Sequence, residues 1–252
     1  VGAVGTSRYT TTCGWSDAPH LDAQTMKELL DSTPPHLRKA RSEGVPSLGE
    51  GAIYPIDFDE ISVDPFPIPD FWPRAYGLDV GWKMTAGIWG ARDPDTNVHY
   101  LYAEHYRGQA EPSIHATAIK ARGEWIPGVI DYAGTNPHDG TRTMALYREL
   151  GLDVEAADKS VETGLALCWQ MYSTGMLKVF RTLSKFRAEY NLYRRETTKS
   201  QLGVETSKIL KKDDHLMDAK RYLMVSGFKR AITRPVATNR GTAHRGDPVV
   251  GY

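Results

Sequence analysis

The strongest constraint on the fold is a change of rhythm after residue 106. Three apolar, β-rich runs, Ala75–Gly81, Thr85–Ala91 and Val98–Tyr106, are separated only by the turn segments Gly81-Trp82-Lys83 and Asp93-Pro94-Asp95-Thr96-Asn97. Connections this short join sequential antiparallel strands. Helical and strand segments then alternate. Pro112 opens a helix to about Gly123, and Gly128-Val129-Ile130 is a short apolar strand that ends on Asp131. Thr141–Leu150 is a helix closed by Gly151. Val161–Thr174 repeats apolar residues at 161, 165, 168, 169 and 172 before Gly175, and Leu177–Phe180 is a strand. A helix over 182–193, a polar hairpin over 194–210 and a final helix from Asp213 to about Val225 complete the pattern. It predicts an α/β fold with a mixed five-stranded sheet and helices on both faces.

Residues 1–73 read as an N-terminal linker arm. Pro55, Pro65, Pro67, Pro69 and Pro73 oppose helix and central strand. Ahead of them the sequence predicts one short helix over Asp22–Leu30 and another from Pro34-Pro35 to near Gly44. Arg8–Thr12 is β-branched, and the chain opens at Val1 in mid-pattern without an initiator Met, as expected of a fragment of something longer. The expected divisions are an arm over 1–73, a domain over 74–228 and a basic, disordered tail over 229–252. Cys13 and Cys168 are too few for a disulfide framework or a zinc site. No run approaches the ~18 apolar residues of a membrane span, so the expectation is a soluble, cytoplasmic protein.

Charge balance is informative only locally. Lys plus Arg equals Asp plus Glu at 31 each, yet residues 1–70 carry 11 acidic and 5 basic residues, whereas 178–221 carry 12 basic and 6 acidic. Lys178, Arg181, Lys185, Arg187, Arg194, Arg195, Lys199, Lys208, Lys211 and Lys212 precede the last helix. They are candidates for neutralising phosphates, with Tyr190 and Tyr193 among them to pack on sugar or base. A solvated surface with internal ion pairs is the alternative.

Two carboxylates stand at apolar strands, where burial should be costly. Asp79, in Gly77-Leu78-Asp79-Val80-Gly81, sits inside an apolar strand, and an unpaired buried carboxylate costs several kcal/mol unless a cation or hydrogen bonds offset it. Asp131 ends a second apolar strand, and sites in open α/β sheets form beyond the carboxyl ends of strands. Asp139, one loop later, competes for the same duty. Asp214, His215 and Asp218 share one face of the last helix by their spacing of three and four. Asp213 or Asp214 is also suited to capping that helix. Carboxylate oxygens are the ligands that Mg2+ or Mn2+ takes, and two such ions can activate water and stabilise the leaving oxygen in phosphodiester hydrolysis. His215 is placed to be a ligand or a proton shuttle.

Leu78-Asp79-Val80-Gly81-Trp82, Val161-Glu162-Thr163-Gly164, Gly175-Met176-Leu177-Lys178-Val179-Phe180 and Asp213–Tyr222 together resemble the nuclease domain of the tailed-bacteriophage terminase large subunit. Ala18–Leu21 and Arg41–Gly51 resemble the stretch that leaves the ATPase domain of that family. The resemblance implies a ribonuclease H-like (integrase/resolvase-type) fold and an Mg- or Mn-dependent endodeoxyribonuclease with a two-metal site. Its expected role is cutting concatemeric viral double-stranded DNA during genome packaging. Asp79, Asp131 and Asp218 would be metal ligands assisted by Asp214 and His215, with Tyr132 departing from a Pro common in relatives. Implied partners are DNA, the portal protein, the small terminase subunit and an ATPase domain, in the host cytoplasm at the procapsid portal. No Gly-x-x-x-x-Gly-Lys-Ser/Thr occurs, so the ATP motor is absent from this chain. A non-catalytic docking module that binds portal or small subunit is the alternative.

Overall fold

The computed structural model describes residues 14–18, 21–32, 42, 51–131, 137–199 and 205–235. The expected hairpin of strands is present as β2 (Arg74–Asp79), β3 (Thr85–Arg92) and β4 (His99–Arg107). They join β1 (Ser62–Val63), β5 (Gly128–Asp131), β6 (Val154–Ala156) and β7 (Leu177–Phe180) in one seven-stranded sheet of order β1-β7-β4-β3-β2-β5-β6. Among the described strands of this sheet, β3 alone runs against the rest. The carboxyl ends of β2, β5, β4 and β7 therefore share one edge.

Two of the seven strands go beyond the five expected. At two and three residues, β1 and β6 are too short to show a period in sequence. They are created by pairing with β7 and β5, which a local pattern does not report.

Helices cover both faces. On one lie α5 (Val161–Ser173), α6 (Ser184–Leu192) and α7 (His215–Val225), whose Leu165, Cys168, Phe186, Tyr190, Leu216, Ala219 and Leu223 meet Ala75, Ile88, Leu101 and Val179 of the sheet. On the other lie α3 (Pro112–Lys120) and α4 (Pro137–Glu149), with Ile119 and Tyr147 against Tyr76, Leu78, Trp89 and Ile130. The period-2 alternation of β2 does this: Ala75 turns to the first face, and Tyr76 and Leu78 to the second. Cys168 is a fully buried small hydrophobe, as its helical run implied.

Gly77 sits where α7 crosses β2. A Cβ there would stand 2.2 Å from the Ala219 carbonyl oxygen, so the glycine is what lets the helix backbone lie directly on the strand.

The arm boundary at 73 needs correction, because residues from 51 onward belong to the packed fold. Tyr54, Phe58 and Ile61 are buried, the last two in a single helical turn, α2 (Phe58–Ile61), and β1 extends the sheet. Tyr54 packs against Tyr172 and Tyr190, with centroids 5.3 and 6.0 Å apart, and the Tyr190 hydroxyl donates to the Ile56 carbonyl at 3.0 Å. The prolines at 55, 65, 67, 69 and 73 all lie outside α2, β1 and β2, so none interrupts a helix or a ladder. The boundary at 228 also moves. Gly227–Arg230 form a 3-10 turn, Ile232 pairs with Arg74, and Arg234 reaches Asp70 at 3.2 Å.

The hairpin expected over 194–210 is present as β8 (Arg195–Lys199) and β9 (Glu205–Ile209), and the expected early helix as α1 (Ala23–Ser32), where Asp22 accepts from the Thr25 amide. The expected strand at Arg8–Thr12, the helix from Pro34 and the tail beyond Pro235 lie outside the described residues. No helix among the described residues is long and apolar enough to cross a membrane.

Candidate functional site

Asp79 is the last residue of β2 and Asp131 the last of β5, and the two are register partners in the parallel pair. Alternation fixes their direction. Ala75 and Gly77 face α7, so Asp79 does too. Val129 packs with Tyr222 of α7, so Asp131 follows it to the same side, where the Tyr222 hydroxyl donates to Asp131 Oδ2 at 3.0 Å.

The third element is α7. Its first free amides, those of Leu216 and Met217, donate to Glu189 Oε2 of α6 at 2.6 and 3.3 Å, which anchors the helix start against the sheet. Desolvation pushes the Glu189 carboxyl up to about 7. With the helix start fixed, His215 Nδ1 lies 2.8 Å from Asp79 Oδ2. Burial raises Asp79 above the ordinary carboxylate range, and the bond to Asp79 raises the His215 imidazole above its own.

Asp218, one turn on and 13% exposed, accepts from Lys211 Nζ at 2.8 Å and from Arg221 at 2.9 Å. Burial works to raise its pKa, but these two cations outweigh it and hold the carboxyl below its usual range. Asp214 caps α7 by position, without a side-chain bond to the helix amides, and its carboxylate pairs with the same Lys211 ammonium at 3.0 Å.

Asp79, Asp131, Asp214, His215 and Asp218 are thus brought to the carboxyl edge of the sheet. Asp139 falls in the first turn of α4, and its side chain lies outside the described residues. Sequence reasoning missed Lys159, whose ammonium is 2.7 Å from Asp131 Oδ1, together with Arg221 and Tyr222. Tyr222 and Arg221 carried a signal, at four and three residues beyond Asp218 on the same helix. Lys159, in a loop, carried none.

The donor set fits a hard divalent cation, being carboxylate oxygens backed by one imidazole. Among the described residues no three such side chains converge on one point, and the carboxylates are instead met by the ammonium groups of Lys159 and Lys211 and by Arg221. Cationic side chains thus take the oxygens a metal ion would use, which marks the cluster as a place that requires positive charge.

The basic candidates divide. Lys211 stands at the carboxylates, and Lys185, Arg194 and Lys212 are exposed. Arg195 is held by Glu162 at 2.7 Å, Arg181 by Asp64 at 3.6 Å and Lys178 by the Glu60 carbonyl at 3.2 Å. Tyr190 and Tyr193 do not face a ligand: both are buried with Tyr54 in the core.

The family model of the terminase RNaseH-like domain matches residues 76–226. The chain belongs to this family. The terminase RNaseH-like chain is 29% identical over 229 residues to the large terminase subunit of Salmonella phage P22, covering 85% of this chain and 44% of that protein. It therefore spans less than half the length of the curated relatives it matches. Among solved structures it resembles the P22 large terminase nuclease domain, with a TM-score of 0.64, 27% identity and coverage of 74% of this chain and 97% of that one. The large terminase of a thermophilic bacteriophage, solved in complex with ADP, shares the fold, with a TM-score of 0.60, 20% identity and coverage of 84% and 54%.

Proposed function

We propose that this terminase RNaseH-like domain is a divalent-metal-dependent endodeoxyribonuclease that cuts concatemeric viral double-stranded DNA during genome packaging. The observation that carries the reading is the pairing of Asp79 with Asp131 at adjacent strand ends, faced by His215 and Asp218 of α7. Likeness to the P22 nuclease domain supports it.

Asp79, Asp131 and Asp218 would hold Mg2+ or Mn2+, with Asp214 and His215 assisting. Two bound ions would supply a nucleophilic hydroxide and charge stabilisation at the scissile phosphate. The remaining work falls to the side chains of the chain itself. Tyr222 orients Asp131, Arg221 orients Asp218, and the His215 imidazole, held by Asp79, is placed to take or return a proton. Lys185, Arg194 and Lys212, all exposed, would meet backbone phosphates. Lys178, Arg181, Arg195 and Lys211 would contribute only by giving up their present partners.

An ATPase domain in the longer protein, the portal protein and the small terminase subunit are the proposed partners, at the procapsid portal in the host bacterial cytoplasm. The test is plasmid nicking by the purified chain in manganese. Nicking should vanish on adding EDTA and in Asp79→Ala. Nicking that persists in Asp79→Ala, or none by the parent chain, would overturn the assignment.

A further inference from the structure

At the same edge of the sheet, on the side of α3 and α4, a cavity of ≈ 320 Å³ opens against Asp131. Its inner lining is apolar or aromatic, from Val80, Ala110, Leu146 and Tyr147, with Thr85, Thr143 and His115 supplying polar groups. Trp82 forms its outer wall and is 64% exposed, a large exposure for a tryptophan.

The backbone that carries this indole is fixed on two sides. Trp82 accepts at its carbonyl from the Gln109 amide at 2.9 Å, and the Thr85 hydroxyl donates to the Gly81 carbonyl at 3.1 Å. The neighbouring contact is equally close, since a Cβ on Gly108 would stand 2.1 Å from the Lys83 carbonyl oxygen. The exposed ring therefore rises from a rigid support three residues after Asp79. An anchored aromatic face beside a pocket of this size suits a flat, neutral, aromatic ligand.

We propose that this cavity is a nucleobase-binding subsite: Trp82 stacks on a base of the substrate DNA next to the scissile phosphate, and the pocket behind it receives that base when it leaves the helical stack. The inference rests on the nuclease reading for the identity of its ligand. Stacking on an aromatic side chain tolerates any base, so the subsite adds hold without demanding a sequence. Taking a base out of a perfect duplex is costly and costs less at a mismatch or in a single strand. The subsite therefore implies a preference for DNA whose pairing is already weakened.

The experiment measures binding of the full chain, in calcium, to a fluorescent perfect duplex and to the same duplex with one central mismatch, for the parent, Trp82→Ala and Trp82→Phe. The parent should bind the mismatched duplex at least about fivefold more tightly. Trp82→Ala should lose that preference, and Trp82→Phe should keep most of it. A 5-iodouracil at the mismatch should photocrosslink to Trp82 in the parent chain, a readout that needs no variant to fold. Equal affinity of the parent for both duplexes, an unchanged preference in Trp82→Ala, or crosslinks only to other aromatic residues would overturn the proposal. Manganese-dependent nicking that still requires Asp79 would in that case leave the nuclease reading standing. A mismatch preference without nicking would sink the nuclease reading alone.

Discussion

Asp131 owes its orientation to two residues outside the carboxylate set, the Tyr222 hydroxyl and the Lys159 ammonium. Groups that hold a metal ligand in place are commonly worth tenfold to a hundredfold in affinity. Tyr222→Phe should therefore weaken manganese binding roughly tenfold or more by titration calorimetry, while costing only about 1 kcal/mol of stability. Unchanged affinity would remove Tyr222 from the site. Asp79 and Asp131 stood out in sequence because each interrupts or ends an apolar strand, and Asp218 because it shares a helical face with Asp214 and His215; such patterns are visible without a fold. Lys159 was not, because a lysine in a polar loop breaks nothing. Tyr190 and Tyr193 misled for a related reason: set among basic residues they resembled a nucleic-acid surface, and only the packing of Tyr54 on them reveals a core.

At the scale of elements, the site depends on how closely α7 lies on β2. Gly77→Ala would press a methyl group into the Ala219 carbonyl, and overpacking of this kind costs about 3 kcal/mol. The midpoint of urea unfolding should fall accordingly, and nicking should fall in protein that is still folded, because His215 and Asp218 ride on the displaced helix.

The contact of β4 with α3 carries a second prediction. His105 Nε2 and His115 Nδ1 are 2.9 Å apart and both rings are buried, so one nitrogen must donate and the other accept. Burial, His115, Arg122 and Arg107 lower the His105 pKa to about 4, and burial lowers that of His115. A depressed histidine pKa contributes stability that is complete above the unfolded value, near 6.5, and is lost as pH falls through about 4. Thermal stability should decline between pH 6.5 and 4, and His105→Gln should flatten that slope. An identical acid slope in the variant would show that this pair is not responsible.

Across the whole molecule, the order of elements from β2 to α7, β6 excepted, could be read from the pattern of apolar residues, whereas the limits of the domain could not. Prolines argued for a linker before residue 74, but Tyr54, Phe58 and Ile61 fill the core and β1 pairs with β7. Long-range packing decided the boundary, and local propensity is blind to it. The two readings separate on truncation. A chain beginning at residue 51 should melt cooperatively near the temperature of the full chain. One beginning at 74 should bare Tyr172, Phe180 and Tyr190 and lose its cooperative transition by calorimetry.

The pairing of Lys159, Lys211 and Arg221 with the carboxylates has a consequence for the life of the protein. Because Lys159, Lys211 and Arg221 already meet the acidic cluster, the expected outcome is that the domain folds without a metal ion. EDTA should leave its melting temperature nearly unchanged, while manganese at a hundred times its dissociation constant should add about 2.7 kcal/mol. Assembly and arming are then separate events. If the proposed metal site is right, ions that bind there would displace Lys159 and Lys211 from Asp131 and Asp218, and those ammonium groups would then be released toward whatever the site binds.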